Sequence, residues 1–200
     1  TKDVMKNLED VYELTPNQMG NLMEYTEDPE SGLFHENLIF EFKGNIDIEL
    51  FNECWRECIN RHSILRTGFF YKGMAKPVQA VFKKAELPME VLDWSERSKG
   101  EVAIQLHDIL EEDKTLTYKM ETAPLMRMNL ILCADNRYLL SWRFHHIIID
   151  GWAVVIVLTD LFALYKSKLG IYSADTRLPG YPYKEYVMYR KLRDDSGEKK

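Results

Sequence analysis

Helices interleaved among strands, with part of the strand pairing antiparallel, make the α/β architecture that this sequence predicts. Three observations carry it. Several short stretches alternate apolar and polar residues with the period of a strand. Others space apolar residues three and four apart, as a helix face does. Two pairs of strand-like stretches are joined by short polar turns, the mark of hairpins. With 200 residues, 46% of them hydrophobic and 12% aromatic, the chain can bury a core as one domain.

The elements follow in order. Thr15-Pro16 is a cap followed by a first-turn proline and predicts a short helix over Leu14 to Met23. Glu27 to Gly32 is turn-rich. Glu36 to Lys43, with Leu38, Phe40 and Phe42 on one face, reads as a strand ended by Gly44. Asp47 can cap a helix whose stripe is Phe51, Cys54, Trp55, Cys58 and Ile59, closing near Arg61-His62, where basic groups suit the C-terminal end of the dipole. Ile64 to Tyr71 and Pro77 to Phe82 are expected to pair across a Lys72-Gly73 turn. Val91 to Trp94 is a short strand. Ser95 to Glu112 is a helix burying Val102, Leu106, Ile109 and Leu110. Leu125 to Cys133 and Tyr138 to Phe144 form a second hairpin around Asp135-Asn136-Arg137. Gly151 to Leu169 is too long for a strand and predicts a largely buried helix. Leu178 to Tyr183 has linker composition, Tyr183 to Arg193 is helical, and Asp194 to Lys200 is a polar, frayed tail.

Charge and composition exclude some functions. There are 26 basic and 32 acidic residues, a net charge of -6, and no stretch gathers the basic groups on one face, so nucleic acid is not an expected partner. Asp160 interrupts the best apolar run and the N-terminal stretch lacks a signal-peptide shape, so neither a membrane nor export is expected and the chain reads as cytoplasmic. Of Cys54, Cys58 and Cys133, the first two share a helical face, where the role of small buried hydrophobes is preferred to a metal or redox one.

The segment carrying chemistry is His145-His146-Ile147-Ile148-Ile149-Asp150-Gly151-Trp152, a strand-to-helix junction. If the pleat runs through the histidines, His146 continues the Tyr138/Leu140/Trp142/Phe144 face and His145 the Ser141/Arg143 face. Only one of them can easily meet a given substrate. Asp150 sits where an N-cap belongs, and Gly151 permits a tight turn. Each feature alone has a structural explanation, as a satisfied core histidine or an ordinary cap; together they point to proton transfer. Neutral imidazole suits that task near neutral pH. The sequence has no convincing serine or cysteine elbow. A metal site built on His145, His146 and Asp150 is disfavoured, because adjacent strand histidines diverge and no third soft ligand lies near in sequence.

Several segments together resemble the condensation domains of nonribosomal peptide synthetases. The junction fits that family's HHxxxDG signature with its aromatic follower. Arg61-His62-Ser63-Ile64-Leu65-Arg66-Thr67-Gly68-Phe69 is similar to its RHxxLRTxF segment. Leu14-Thr15-Pro16-Asn17-Gln18-Met19-Gly20 is similar to an opening motif centred on a glutamine, and Tyr183-Lys184-Glu185-Tyr186-Val187 to the motif after the first lobe. The resemblance implies a chloramphenicol acetyltransferase-like mixed-sheet sandwich, one lobe of a two-lobe condensation domain. Residues 1-177 would be the N-terminal lobe, and 178-200 a linker and helix leading to an absent C-terminal lobe.

The implied function is amide-bond formation between a carrier-protein-bound aminoacyl or peptidyl thioester donor and an aminoacyl acceptor, with the isolated lobe inactive alone. No cofactor would be bound directly; substrates would ride on the phosphopantetheine of carrier proteins, with an adenylation domain in the parent chain. By the same resemblance His146 is the active-site histidine, either as general base or as a group positioning the amine. His145 is structural, Asp150 pairs with Arg66, Gly151 shapes the turn, and Trp152 packs in the core. Rival readings are a non-catalytic carrier-docking half-site and an HxxxxD acyltransferase using His145 and Asp150. An epimerization domain shares the double histidine, but Gly151-Trp152-Ala153 looks more like a condensing domain. A heterocyclization domain would carry aspartates in place of the histidines.

Overall fold

The computed structural model describes residues 6–171 and 182–195. Its strands are β1 (Leu8–Glu13), β2 (His35–Lys43), β3 (Thr67–Phe70), β4 (Val78–Phe82), β5 (Met89–Trp94), β6 (Met126–Cys133) and β7 (Arg137–His145). Its α-helices are α1 (Pro16–Glu27), α2 (Ile48–Arg61), α3 (Lys99–Thr115), α4 (Gly151–Lys168) and α5 (Tyr183–Asp195). The larger sheet runs β2-β7-β6-β5, antiparallel except for the β5–β6 pair. The smaller is an antiparallel β1-β4-β3 sheet.

Alternation on β2, β6 and β7 sends Leu38, Phe40, Met128, Leu130, Leu140, Trp142 and Phe144 to one face, against α2 and α4. From α2 come Phe51, Cys54, Trp55, Cys58 and Ile59, the expected stripe in full; from α4 come Val154, Val157, Leu161 and Leu164. Trp55 meets Trp142 edge-on with ring centroids 5.1 Å apart. All three cysteines are buried here or on the opposite face, as small hydrophobes, and burial raises each thiol pKa. On the second face α3 covers Trp94, Ile131, Cys133 and Leu139 with Val102.

Local chemistry places the element ends. Thr15 caps α1 through a reciprocal capping box with Gln18, and Asp47 caps α2. Asp135 and Asn136 both take positive φ, 61° and 52°, which matches the tight turn joining β6 to β7. Gly68 is required by contact: a Cβ there would lie 2.9 Å from the Glu121 carbonyl oxygen.

Besides the burial of α4, the structure departs from the sequence pattern at three elements. Strand β1 has no counterpart among the expected strands; its exposed and half-buried residues alternate, but its apolar residues Leu8, Val11 and Tyr12 do not alternate in sequence, and its place comes from pairing with β4. The strand expected from Ile64 starts only at Thr67, because Ser63–Arg66 form a 3-10 turn. Helix α3 starts at Lys99 behind the Ser98 cap, and of its four expected core residues only Val102 is fully buried. The Leu178 to Tyr183 linker lies mostly outside the described residues, as does most of the polar tail. No helix among the described residues is long and apolar enough to cross a membrane.

Between the α3 end and the sheet lies a buried ion cluster. Asp113, 1% exposed, sits 3.2 Å from Arg127 and 3.3 Å from Arg143, whose guanidinium also donates to the Asn129 side-chain oxygen. Removing the one carboxylate would leave the buried Arg143 charge without its counter-ion. Asp113→Ala is therefore expected to lower unfolding free energy by roughly 3–5 kcal/mol, measured by denaturant titration. A loss below about 1 kcal/mol would contradict this account.

Candidate active site

The double histidine spans the end of β7 and the first residue of a turn. Backbone pairing pins both: the His145 N–H donates to the Leu125 carbonyl at 3.0 Å, and the His146 N–H to the Phe34 carbonyl at 2.7 Å. The Ile148 N–H then closes a turn onto the His145 carbonyl at 3.1 Å. Ile147, Ile148 and Ile149 are all buried, so the loop is anchored in the core rather than laid over it.

That loop separates the fates of the two rings. His145 is 0% exposed, edge-on to Tyr25 with centroids 4.7 Å apart, and near Phe34, His35 and Tyr118. Its Nδ1 accepts a hydrogen bond from the Ile147 N–H at 3.1 Å. Burial, with smaller contributions from the neighbouring histidines, depresses its pKa to about 3, so it stays neutral. His146 is half-buried and lines a cleft of about 530 Å³. Its Nδ1 lies 2.7 Å from the Ile149 carbonyl oxygen. A carbonyl can only accept, so in the neutral ring Nδ1 carries the proton and Nε2 keeps its lone pair. Nε2 is bonded to no protein group among the described residues. This is the tautomer a general base needs.

Three helices build the cleft walls. Asn17, Asn21 and Glu24 come from α1, Asp150 and Ala153 from the start of α4, and Tyr183 and Tyr186 from α5. Their i, i+4, i+7 spacing on α1 is a helical-face signal that the sequence did carry; the tyrosines became wall residues only through tertiary packing. Burial raises the Tyr183 hydroxyl pKa, opposed by a bond with Thr15. Gln18, centre of the opening motif, is used structurally: its amide closes the α1 cap and pairs with the Gln79 amide of β4 at 2.9 and 3.1 Å. Among the described residues the lining includes no cysteine or serine, and its one threonine, Thr15, is engaged as the α1 cap. No group of three or more His, Cys, Asp and Glu side chains among the described residues could hold a metal ion.

The other expected site residues fall elsewhere. Asp150 does not pair with Arg66. It is exposed and caps α4, accepting from the Ala153 N–H at 2.8 Å. Arg66, 7% exposed, ends the 3-10 turn and so points at the α2 terminus: it donates to the Ile59 carbonyl at 3.2 Å, the Asn60 carbonyl at 3.1 Å, the Phe82 carbonyl and Glu9 at 2.7 Å. Free carbonyls at a helix end attract a guanidinium, which is why the arginine goes there. Trp152 is 81% exposed rather than in the core, because the buried face of α4 runs through Val154, Val157, Leu161 and Leu164 and leaves the first turn outside it. For the same reason Val155 and Ile156 are exposed, so α4 buries one face only. Gly151 has no positive φ and a Cβ there would meet nothing within 4 Å, so no tight turn demands it.

A residue that sequence reasoning missed is Phe34. Its φ is +68°, a left-handed conformation rare for a bulky side chain, with a cost of order 1–3 kcal/mol.

Known proteins share both the sequence pattern and the fold. The family profile described as "Condensation domain" matches residues 8–199. Tyrocidine synthase 2 of Brevibacillus parabrevis is 30% identical over 182 residues, 91% of this chain and 5% of that protein. Bacitracin synthase 1 of Bacillus licheniformis is 30% identical over 187 residues, 94% of this chain and 4% of that protein. Among solved structures, the starter condensation domain of rhizomide synthetase superposes with a TM-score of 0.79 at 18% identity, over 93% of this chain and 46% of that one. The first condensation domain of the calcium-dependent antibiotic synthetase gives 0.79 at 17% identity, over 94% and 46%. The chain thus spans a small part of its curated relatives and about half of these solved chains. The fold is the mixed α/β, chloramphenicol acetyltransferase-like one that the motifs implied.

The two separated charges should differ in what they hold together. Asp150→Ala should cost about 1 kcal/mol, the loss of a helix cap. Arg66→Ala should cost roughly 3 kcal/mol or more, since three carbonyls lose a charged donor; denaturant melts giving the reverse order would refute the assignment. For His145 the folded pKa lies below the unfolded value near 6.5, so the unfolded chain binds the extra proton as pH falls. The stabilisation is complete above that value and is lost toward pH 3, by up to about 1.4 kcal/mol per pH unit. Burial also lowers the pKa of His35 and His62 and adds to the same trend. His145→Asn should therefore flatten, not abolish, the fall in unfolding free energy between about pH 6 and 5. Parallel wild-type and variant slopes would sink the account.

Proposed function

The chain belongs to the condensation-domain family, and from that premise we propose that it is the N-terminal part of a peptide-bond-forming acyltransferase of a nonribosomal peptide synthetase. The donor would be an aminoacyl or peptidyl thioester and the acceptor an aminoacyl group, both carried on the phosphopantetheine arms of carrier proteins. Residues 1–177 are read as the N-terminal lobe, and 178–200 as the segment leading toward a C-terminal lobe. The parent chain would also carry an adenylation domain.

One observation carries the reading: Nδ1 of His146 is held by the Ile149 carbonyl while the same ring lines the cleft. The unprotonated Nε2 accepts the proton of the acceptor amine as its nitrogen attacks the thioester carbonyl. A tetrahedral intermediate forms. Its collapse breaks the carbon–sulfur bond and releases the donor's thiolate, which takes the proton back from Nε2 as the amide is made, returning His146 to its neutral form. The step needs no protein nucleophile, in keeping with a cleft lined, among the described residues, by no cysteine or serine. His145 and Asp150 are read as support: His145 as a neutral strut under the loop and Asp150 as the cap that starts α4.

The HxxxxD acyltransferase reading loses support from the same geometry. It would need His145 as the base, and that ring is sealed, with a pKa that burial lowers to about 3, so it is a poor proton acceptor. For the 200 residues in isolation, carrier-protein binding without turnover is the better description, because the condensation domains of matching fold are about twice as long.

The test is His146→Ala in a complete condensation domain containing this segment. Its unfolding midpoint should stay within a few degrees of wild type while kcat for dipeptide formation falls by roughly 100-fold or more. An unimpaired kcat would remove His146 from the chemistry.

A further inference from the structure

Phe34 is the one bulky residue among the described residues in the left-handed region; the other two non-glycine cases, Asp135 and Asn136, form a hairpin turn where that conformation is expected. Gly32, two residues earlier, also has positive φ, at 69°, and its carbonyl accepts from the His35 N–H at 3.1 Å. The chain therefore turns twice within three residues before β2 begins. The second turn is made at a residue for which it is costly, although a glycine there would make it freely.

What the costly turn achieves is visible at β7. The β2–β7 ladder ends at the His35–His145 pair. Phe34 reaches one residue beyond it, placing its carbonyl 2.7 Å from the His146 N–H. Its ring lies 5.9 Å from the His145 ring and packs against the main core, which explains a phenylalanine where glycine would be easier. We infer that Phe34 is a positioning residue for His146: its left-handed backbone aims the carbonyl that fixes the His146 main chain, and its ring holds that backbone in place. The inference rests on His146 being the base. With its backbone amide fixed from the β2 side and its ring Nδ1 fixed from the Ile149 side, the residue is held at main chain and ring while Nε2 stays free, as a general base must be to meet a tethered amine.

The test compares Phe34→Gly with Phe34→Val in a complete condensation domain containing this segment. Both lose the ring, but glycine keeps the left-handed backbone at no cost and valine opposes it most. Ring-nitrogen NMR of the labelled histidines reports the His146 tautomer without reference to activity. Phe34→Gly should retain the Nδ1–H tautomer while kcat falls about three-fold, the effect of losing the ring that holds the backbone. Phe34→Val should give averaged His146 ring signals and a kcat about ten-fold lower with KM unchanged. If valine prevents folding, Phe34→Ala, of intermediate cost in the left-handed region, replaces it. Identical His146 ring signals in the glycine variant and its partner would overturn the positioning role, whatever the melting temperatures. Because that readout is independent of turnover, failure of the base assignment would show separately, as His146→Ala retaining activity.

Discussion

The hydrogen bond from His146 Nδ1 to the Ile149 carbonyl is the constraint on which the site depends. It joins residues three apart in sequence, so it forms only if the chain bends sharply between them. The bend is made by the turn that the Ile148 N–H closes on the His145 carbonyl. Its stability comes from burying three isoleucines in a row. Hydrophobic burial thereby sets the protonation pattern of an imidazole: the loop that enters the core presents its last carbonyl to the ring, and the ring answers with Nδ1–H. Nε2 is left with its lone pair beside a cleft.

Around that bond the fold divides its histidines by environment. His145 lies on the second face of the sheet, among Tyr25, His35 and Tyr118, where desolvation outweighs everything else and the ring is held neutral. His146 leaves the strand one residue later and meets solvent. Adjacent in sequence, the two rings are alike in chemistry and unlike in dielectric, and it is the dielectric that assigns their roles. The same second face carries the Asp113, Arg127 and Arg143 cluster, so charge is buried there only where it is paired.

The arginine of the Arg61 to Phe69 segment shows how far a motif can mislead on partners. Arg66 and Asp150 each serve a helix terminus in a way that makes sense locally, yet they belong to different places. Arg66 clamps the end of α2 to β4 and β1; Asp150 starts α4. Each satisfies free backbone groups, and a terminus offers more hydrogen-bonding partners to a charged group than one distant opposite charge does.

Periodicity and capping chemistry, which are local, made most of the elements legible in the sequence: the α2 stripe, the β2 alternation, the β6–β7 turn with two residues able to take positive φ, and the Asp47 and Asp150 caps. Strand parity likewise separated His145 from His146. What tertiary structure alone decided is non-local. Strand β1 exists by pairing with β4, and Trp152 lies outside because the buried face of α4 was set by the sheet beneath it. Phe34 took a left-handed backbone because its carbonyl and its ring had partners 111 or more positions along the chain, at His145 and His146. A sequence states which backbone conformations are easy; only the assembled sheet and helices supply the contacts that make a difficult one worthwhile.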